Sequence, residues 1–76
     1  MSRVVTDVDQ RVGRRIKERR LALGLSQERL SERVGVTHQQ LQRYEYGLIR
    51  MSVYRLVAIS KAVDVSPAYF LDGVSP

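Results

Sequence analysis

Cysteine and tryptophan are absent from this 76-residue chain, and histidine occurs once, at His38. Without thiols there is neither a disulfide framework nor a thiolate metal site. One histidine and no convergent carboxylate pair leave no nucleophile–base unit to assemble, so no catalytic residue, cofactor or metal is expected. Long apolar runs are missing as well. The longest aliphatic stretch, Leu56-Val57-Ala58-Ile59, has four residues, far short of the ~20 needed to span a bilayer. The start, Met1-Ser2-Arg3-Val4-Val5-Thr6-Asp7, has no signal-peptide core. Together these absences imply a cytoplasmic protein without a membrane partner. The length suits one small domain with a thin core.

What the chain has in excess is positive charge. Thirteen basic residues face eight acidic ones for a net +5, and eleven of the thirteen are arginine. Residues 11–33 carry Arg11, Arg14, Arg15, Lys17, Arg19, Arg20, Arg29 and Arg33 against Glu18, Glu28 and Glu32. That third of the chain therefore holds the whole excess. The arginine fork suits bidentate contacts to phosphate and guanine, and a strongly basic small domain implies a polyanionic partner, nucleic acid before membrane. Charge alone leaves a merely solvated basic helix open.

Glycine, proline and hydroxyl residues punctuate the rest. Val8, Val12, Ile16 and Leu23 make one apolar stripe at helical spacing over residues 8–23, closed by Gly24. Ser26 caps a helix over 26–33, with Leu30 and Val34 inward, and Gly35 breaks it. Thr37 opens a helix over 37–46, where Gln40 three residues on completes a capping-box spacing, and Gly47 ends it. Ser52 caps 52–63, with Leu56, Ile59 and Val63 inward. Ser66-Pro67 opens 66–72, whose apolar content is Tyr69, Phe70 and Leu71. No segment alternates with period two. The expected fold is all-α: a compact five-helix domain over 8–73, between a flexible arm at 1–7 and a tail at 74–76.

Residues 26–47 form two short helices around a tight glycine turn, the arrangement in which a second helix enters the DNA major groove. An ordinary helical hairpin has the same outline. The outer face of 37–46 weighs against it. With Leu41 inward, Gln39, Arg43 and Tyr46 point outward, flanked by Gln40 and Gln42. Glutamine, arginine and histidine offer the paired donors and acceptors that base edges require, where a solvated face would carry glutamate and lysine.

The runs Leu23-Gly24-Leu25-Ser26-Gln27, Gly35-Val36-Thr37 and Tyr44-Glu45-Tyr46-Gly47 resemble the Cro and phage-repressor helix-turn-helix of the XRE family. Val12-Gly13-Arg14-Arg15-Ile16 and Val65-Ser66 through Leu71 extend the likeness, which covers about four-fifths of the chain. The glutamine-rich pattern from Gln39 to Gly47, with Arg50, is similar to a subgroup of alphaproteobacterial regulators.

The resemblance implies a lambda-repressor-like fold and roles for particular residues. Gln27 matches the glutamine that holds a DNA phosphate at a helix N-terminus, which a bare helix start also favours. His38, Gln39 and Arg43 match base-reading positions, with Gln42 a secondary reader. His38 lies toward the core side of the wheel and can equally pack or meet phosphate. Ser26, Thr37, Gln40, Tyr46 and Arg50 are candidate phosphate contacts, although Gln40 is also claimed by capping and Tyr46 departs from the family's polar residue. Ser31 stands where alanine is usual. Leu48, Ile49 and Met51 are apolar in a loop that is normally polar, and either fold under the core or form a protein-contact patch. Arg14, Arg15 and Arg19 supply general attraction. Arg20 matches the arginine that pairs with Glu45, which the wheel places about 40° from Leu41. Met51, Pro67, Ala68 and Tyr69 are the implied dimer contact.

The resulting expectation is a sequence-specific regulator, a repressor in the first instance. It would occupy an inverted-repeat operator on double-stranded DNA as a homodimer. The alternative is an antitoxin that binds both its operator and a toxin protein.

Overall fold

The computed structural model describes residues 7–74. It contains α1 (Asp7–Ala22), α2 (Gln27–Val34), α3 (His38–Glu45), α4 (Val53–Ala62) and α5 (Pro67–Leu71), and the described residues include no strand. Of the expected arm only Asp7 is described, and it is the first residue of α1; residues 1–6 lie outside the described residues. So do residues 75 and 76 of the tail, while the Val74 amide donates to the Leu71 carbonyl at 3.0 Å.

Local chemistry starts the helices. The hydroxyls of Ser26, Thr37 and Ser52 accept from the amides of Arg29, Gln40 and Arg55, each at 3.0 Å, so each satisfies one orphan donor of a first turn. Ser66 makes no such bond, and Pro67 begins α5 through its fixed φ. Asp7 and Asp9 sit in the first turn of α1, and Arg19 and Arg20 in its last, the placement the helix dipole favours. The capping box is only half formed. The Gln40 amide takes the Thr37 oxygen, but the Gln40 side chain reaches forward to donate to Tyr44 Oη at 2.7 Å.

One device ends the first four helices. The amides of Leu25, Val36, Leu48 and Val65 donate back six residues' span to the carbonyls of Arg20, Ser31, Arg43 and Ser60, at 2.9–3.1 Å. Each closure needs a left-handed residue just before it. Gly24, Gly35 and Gly47 fill three of those places, and Asp64 fills the fourth with φ 59°.

The core is built from Val12 and Ile16 of α1, Leu30 of α2, Leu41 and Tyr44 of α3, Ile59 and Val63 at the end of α4, and Phe70 of α5. Leu23 leaves the expected stripe: α1 has already ended at Ala22, the chain turns, and Leu23 is 41% exposed. The apolar loop divides. Ile49 and Met51 pack against the core, whereas Leu48 is 60% exposed. Ser31 is buried, and its hydroxyl donates to the Glu28 carbonyl at 2.8 Å, so a serine is satisfied where alanine is usual.

α1 packs across α3 and α5, while α2 packs on α3 and α4. The α1–α3 crossing is close because Gly13 has no side chain: a Cβ there would stand 2.2 Å from the Tyr44 carbonyl oxygen. Gly47 repeats the arrangement against the backbone of Gln10, 2.5 Å from where its Cβ would be.

Candidate nucleic-acid interface

The turn between α2 and α3 is set by Gly35, whose φ of 84° lets Val36 fold against the core and brings Thr37 to cap α3. Leu41 and Tyr44 then anchor α3 from within. Its opposite face carries His38, Gln39, Gln42 and Arg43, all exposed, in one row of polar side chains. Ser26 and Thr37, at the starts of α2 and α3, are exposed, Gln27 and Gln40 are half-buried, and Tyr46 and Arg50 are exposed beyond the end of α3.

The row is held by a polar chain that is buried at Arg20 and Glu45 and reaches the surface at His38. Arg20 Nε donates to Glu45 Oε2 at 2.6 Å and its Nη2 donates to Oε1 at 3.1 Å, with the side chains 8% and 0% exposed. Arg20 Nη1 donates to the Leu25 carbonyl at 2.9 Å. Gln27 Nε2 donates to Glu45 Oε1 at 2.9 Å, and Gln27 Oε1 lies 2.9 Å from His38 Nε2. A planar guanidinium fork on a carboxylate is the geometry that fixes both partners in space. The end of α1, the start of α2 and both ends of α3 are thereby joined through four side chains. Every buried side-chain polar atom among the described residues has a partner.

This chain of contacts changes the reading of two residues. His38 does not pack into the core; it is exposed and engages Gln27. Gln27 has both ends of its amide in use within the protein, although Nε2 bears a second hydrogen able to meet an anion. Spacing alone could not reveal the link, because Gln27 and Glu45 stand 18 residues apart.

The basic excess also divides. Arg19 Nε donates to the Val63 carbonyl at 3.0 Å, Arg33 Nη1 donates to the Ala62 carbonyl at 3.3 Å, and Arg15 Nη1 donates to the Asp72 carbonyl. These carbonyls end α4 and α5, where a cation is favourable and acceptors are unfilled. Of the three α1 arginines expected to give general attraction, Arg15 and Arg19 are thus also structural ties, and Arg14 is not. On the other flank of α1, Lys17 Nζ lies 5.8 Å from the centre of the Tyr46 ring.

Fold and face together define a helix-turn-helix domain. A helix-turn-helix family model, HTH_3, matches residues 16–70, and the chain belongs to that family, the XRE and phage-repressor type, whose members are DNA-binding transcription regulators and not enzymes. It is 45% identical over 71 residues to an HTH-type transcriptional regulator of Rickettsia conorii, covering 93% of this chain and 57% of that one. With a transcriptional regulator of Rhodospirillum rubrum, from its ATPase CF(0) region, it shares 48% identity over 69 residues, covering 91% and 64%. Both organisms are alphaproteobacteria, the group whose regulators the α3 pattern resembles. The chain spans about half to two-thirds of the length of these relatives. Among solved structures, the phage P22 c2 repressor in complex with a synthetic operator superposes with a TM-score of 0.77 at 35% identity, covering 86% of this chain and 98% of that one. The biofilm regulator SinR in complex with DNA gives 0.76 at 35% identity, covering 80% and 98%. Among the described residues no helix is long and apolar enough to cross a membrane.

Proposed function

We propose that the chain is the DNA-reading part of a transcriptional repressor that acts in the cytoplasm, on the nucleoid, by occupying its operator, with α3 in the major groove. The observation that carries this reading is the exposed row Gln39, Gln42 and Arg43 on a helix whose other face is anchored by Leu41, Tyr44 and Glu45. Arg43 suits guanine O6 and N7, and Gln39 suits adenine N6 and N7. His38, tied to Gln27, contributes to a base contact at the start of the row. Ser26, Gln27, Thr37, Gln40, Tyr46 and Arg50 surround the row and meet phosphates, which fix register without reading sequence. The operator-bound P22 c2 repressor and DNA-bound SinR, alike in fold, support the same use of this face.

One such domain covers few base pairs, so selectivity calls for two copies on half-sites one helical turn, ~34 Å, apart. The pairing surface we assign to Pro67, Ala68 and Tyr69 with Met51. Ala68 and Tyr69 are exposed, and Pro67 and Met51 are half-buried. The relatives named above are transcriptional regulators, which favours the repressor reading over the antitoxin alternative.

The division between readers and anchors is testable on matched and single-mismatch duplexes. Arg43→Ala is expected to lose about 1–3 kcal/mol on the preferred site and to relax selectivity at one position. Gln27→Ala weakens binding to every duplex, since the phosphate contact it removes carries no sequence information, and a change of selectivity is expected only at the position His38 meets. A uniform loss for Arg43→Ala across all duplexes would strike it from the readers.

A further inference from the structure

Gln10, Arg14 and Lys17 stand four and three residues apart on one exposed face of α1. With Tyr46 and the inner wall at Glu45 they line an open groove of about 220 Å³ beside the end of α3. We infer that this groove is a second DNA-backbone site, in which Arg14 and Lys17 grip a phosphodiester where α3 leaves the major groove. The inference rests on the reading of α3 given above.

Three observations bear on it. First, the groove's positive charge is uncompensated from below, because the Glu45 carboxylate is already shared by Arg20 and Gln27. Second, Lys17 is positioned: its ammonium lies over the Tyr46 ring, which holds a flexible cation without cancelling its charge. Arg15 and Arg19, by contrast, turn to the carbonyls of α5 and α4. Third, the placement matches the dimensions of DNA. α3 has eight residues, so it is about 12 Å long, which is about the width of the major groove. With its start against base edges, its end at Tyr46 stands at the phosphate wall, and the groove opens there. The close seat of Gln10 on Gly47 keeps α1 next to that end. Tyr46, which lacks the charge of a usual backbone contact, thus adds to its own phosphate contact by presenting Lys17.

The test is a fluorescence titration of the full chain on its selected duplex over a range of salt, comparing wild type, Arg14→Gln/Lys17→Gln and Lys61→Glu. The last removes the same two units of charge from an exposed site outside the groove. For the double variant, the slope of log K against log salt is expected to fall by at least about 1. Its ratio of matched to mismatched affinity stays at the wild-type value, and Lys61→Glu changes the slope by less than half as much. A slope change in the double variant no larger than that in Lys61→Glu, with wild type binding normally, overturns the groove and leaves the α3 reading intact. Absence of selective binding by the wild type overturns both.

Discussion

Glu45→Ala is expected to bring the domain close to unfolding. The substitution leaves the Arg20 guanidinium buried with the Leu25 carbonyl as its remaining partner. Taking away one side of a buried ion pair costs roughly 3–5 kcal/mol, because the other charge is stranded. An exposed pair would be worth about 1 kcal/mol at most, and the 8% and 0% exposures of these side chains decide between the cases. A domain of this size has on the order of 5 kcal/mol of total stability. DNA binding is lost with it, indirectly, because the buried Glu45 carboxylate bonds Arg20 and Gln27 and not a base-reading side chain. The double variant Arg20→Met/Glu45→Leu is expected to recover much of the stability, since well-packed apolar residues often replace a buried pair without loss. Gln27 then turns its amide to water, which its half-buried position allows. Urea and thermal denaturation decide it: a Glu45→Ala protein melting within a degree or two of the parent means that the pair does not anchor α3.

Gly13→Ala is expected to destabilise the protein by about 2 kcal/mol or more, although helix propensity alone favours alanine by up to ~1 kcal/mol. The added Cβ meets two backbone oxygens, at 2.2 Å from Tyr44 and 2.7 Å from Glu45, and neither can rotate away. Ordinary contact begins near 3.4 Å, so α1 and α3 have to separate by about 1.2 Å, the difference between 3.4 and 2.2 Å. That movement also pulls Arg20 from Glu45, since the two side chains hang from those same helices. At roughly 4–8 °C per kcal/mol for a domain of this size, the melting temperature drops by about 10 °C. A Gly13→Ala protein as stable as the parent would show that the helices do not meet this closely.

The two residues differ in how far the sequence announced them. Glu45 was legible: helical spacing places it near Leu41, a carboxylate there demands a cation, and the family resemblance supplies Arg20. Gly13 belongs to a run that carries the family resemblance, but nothing near it in sequence gives its physical reason, which is the backbone of α3, some 30 residues away. The same distinction runs through the fold. Ser26, Thr37 and Ser52, and the glycines at 24 and 35, act within one turn of themselves, so capping chemistry and chain reversal are read directly; Gly47 ends α3 in the same way, but its seat on Gln10 is not local. Asp64 gives no such signal, because aspartate adopts the left-handed conformation less often than glycine. Leu23 and Leu48 are not placed by the sequence, because apolar spacing does not state where a helix turns away from the core. In the interface, the exposed face of α3 followed from periodicity, whereas the Gln27–His38 contact and the arginine ties to α4 and α5 join residues that only the folded chain brings together.

The measurement that bears most directly on the central claim is selection of binding sites from random duplex DNA by the purified chain, followed by sequencing of the retained pool. If α3 reads the major groove as half of a symmetric pair, the pool converges on an inverted repeat. Its half-sites lie about 10 base pairs apart from centre to centre, each with a guanine for Arg43 and an adenine for Gln39. A pool statistically identical to the input, recovered with a protein whose helical circular dichroism shows it folded, would contradict the claim that this face reads DNA sequence.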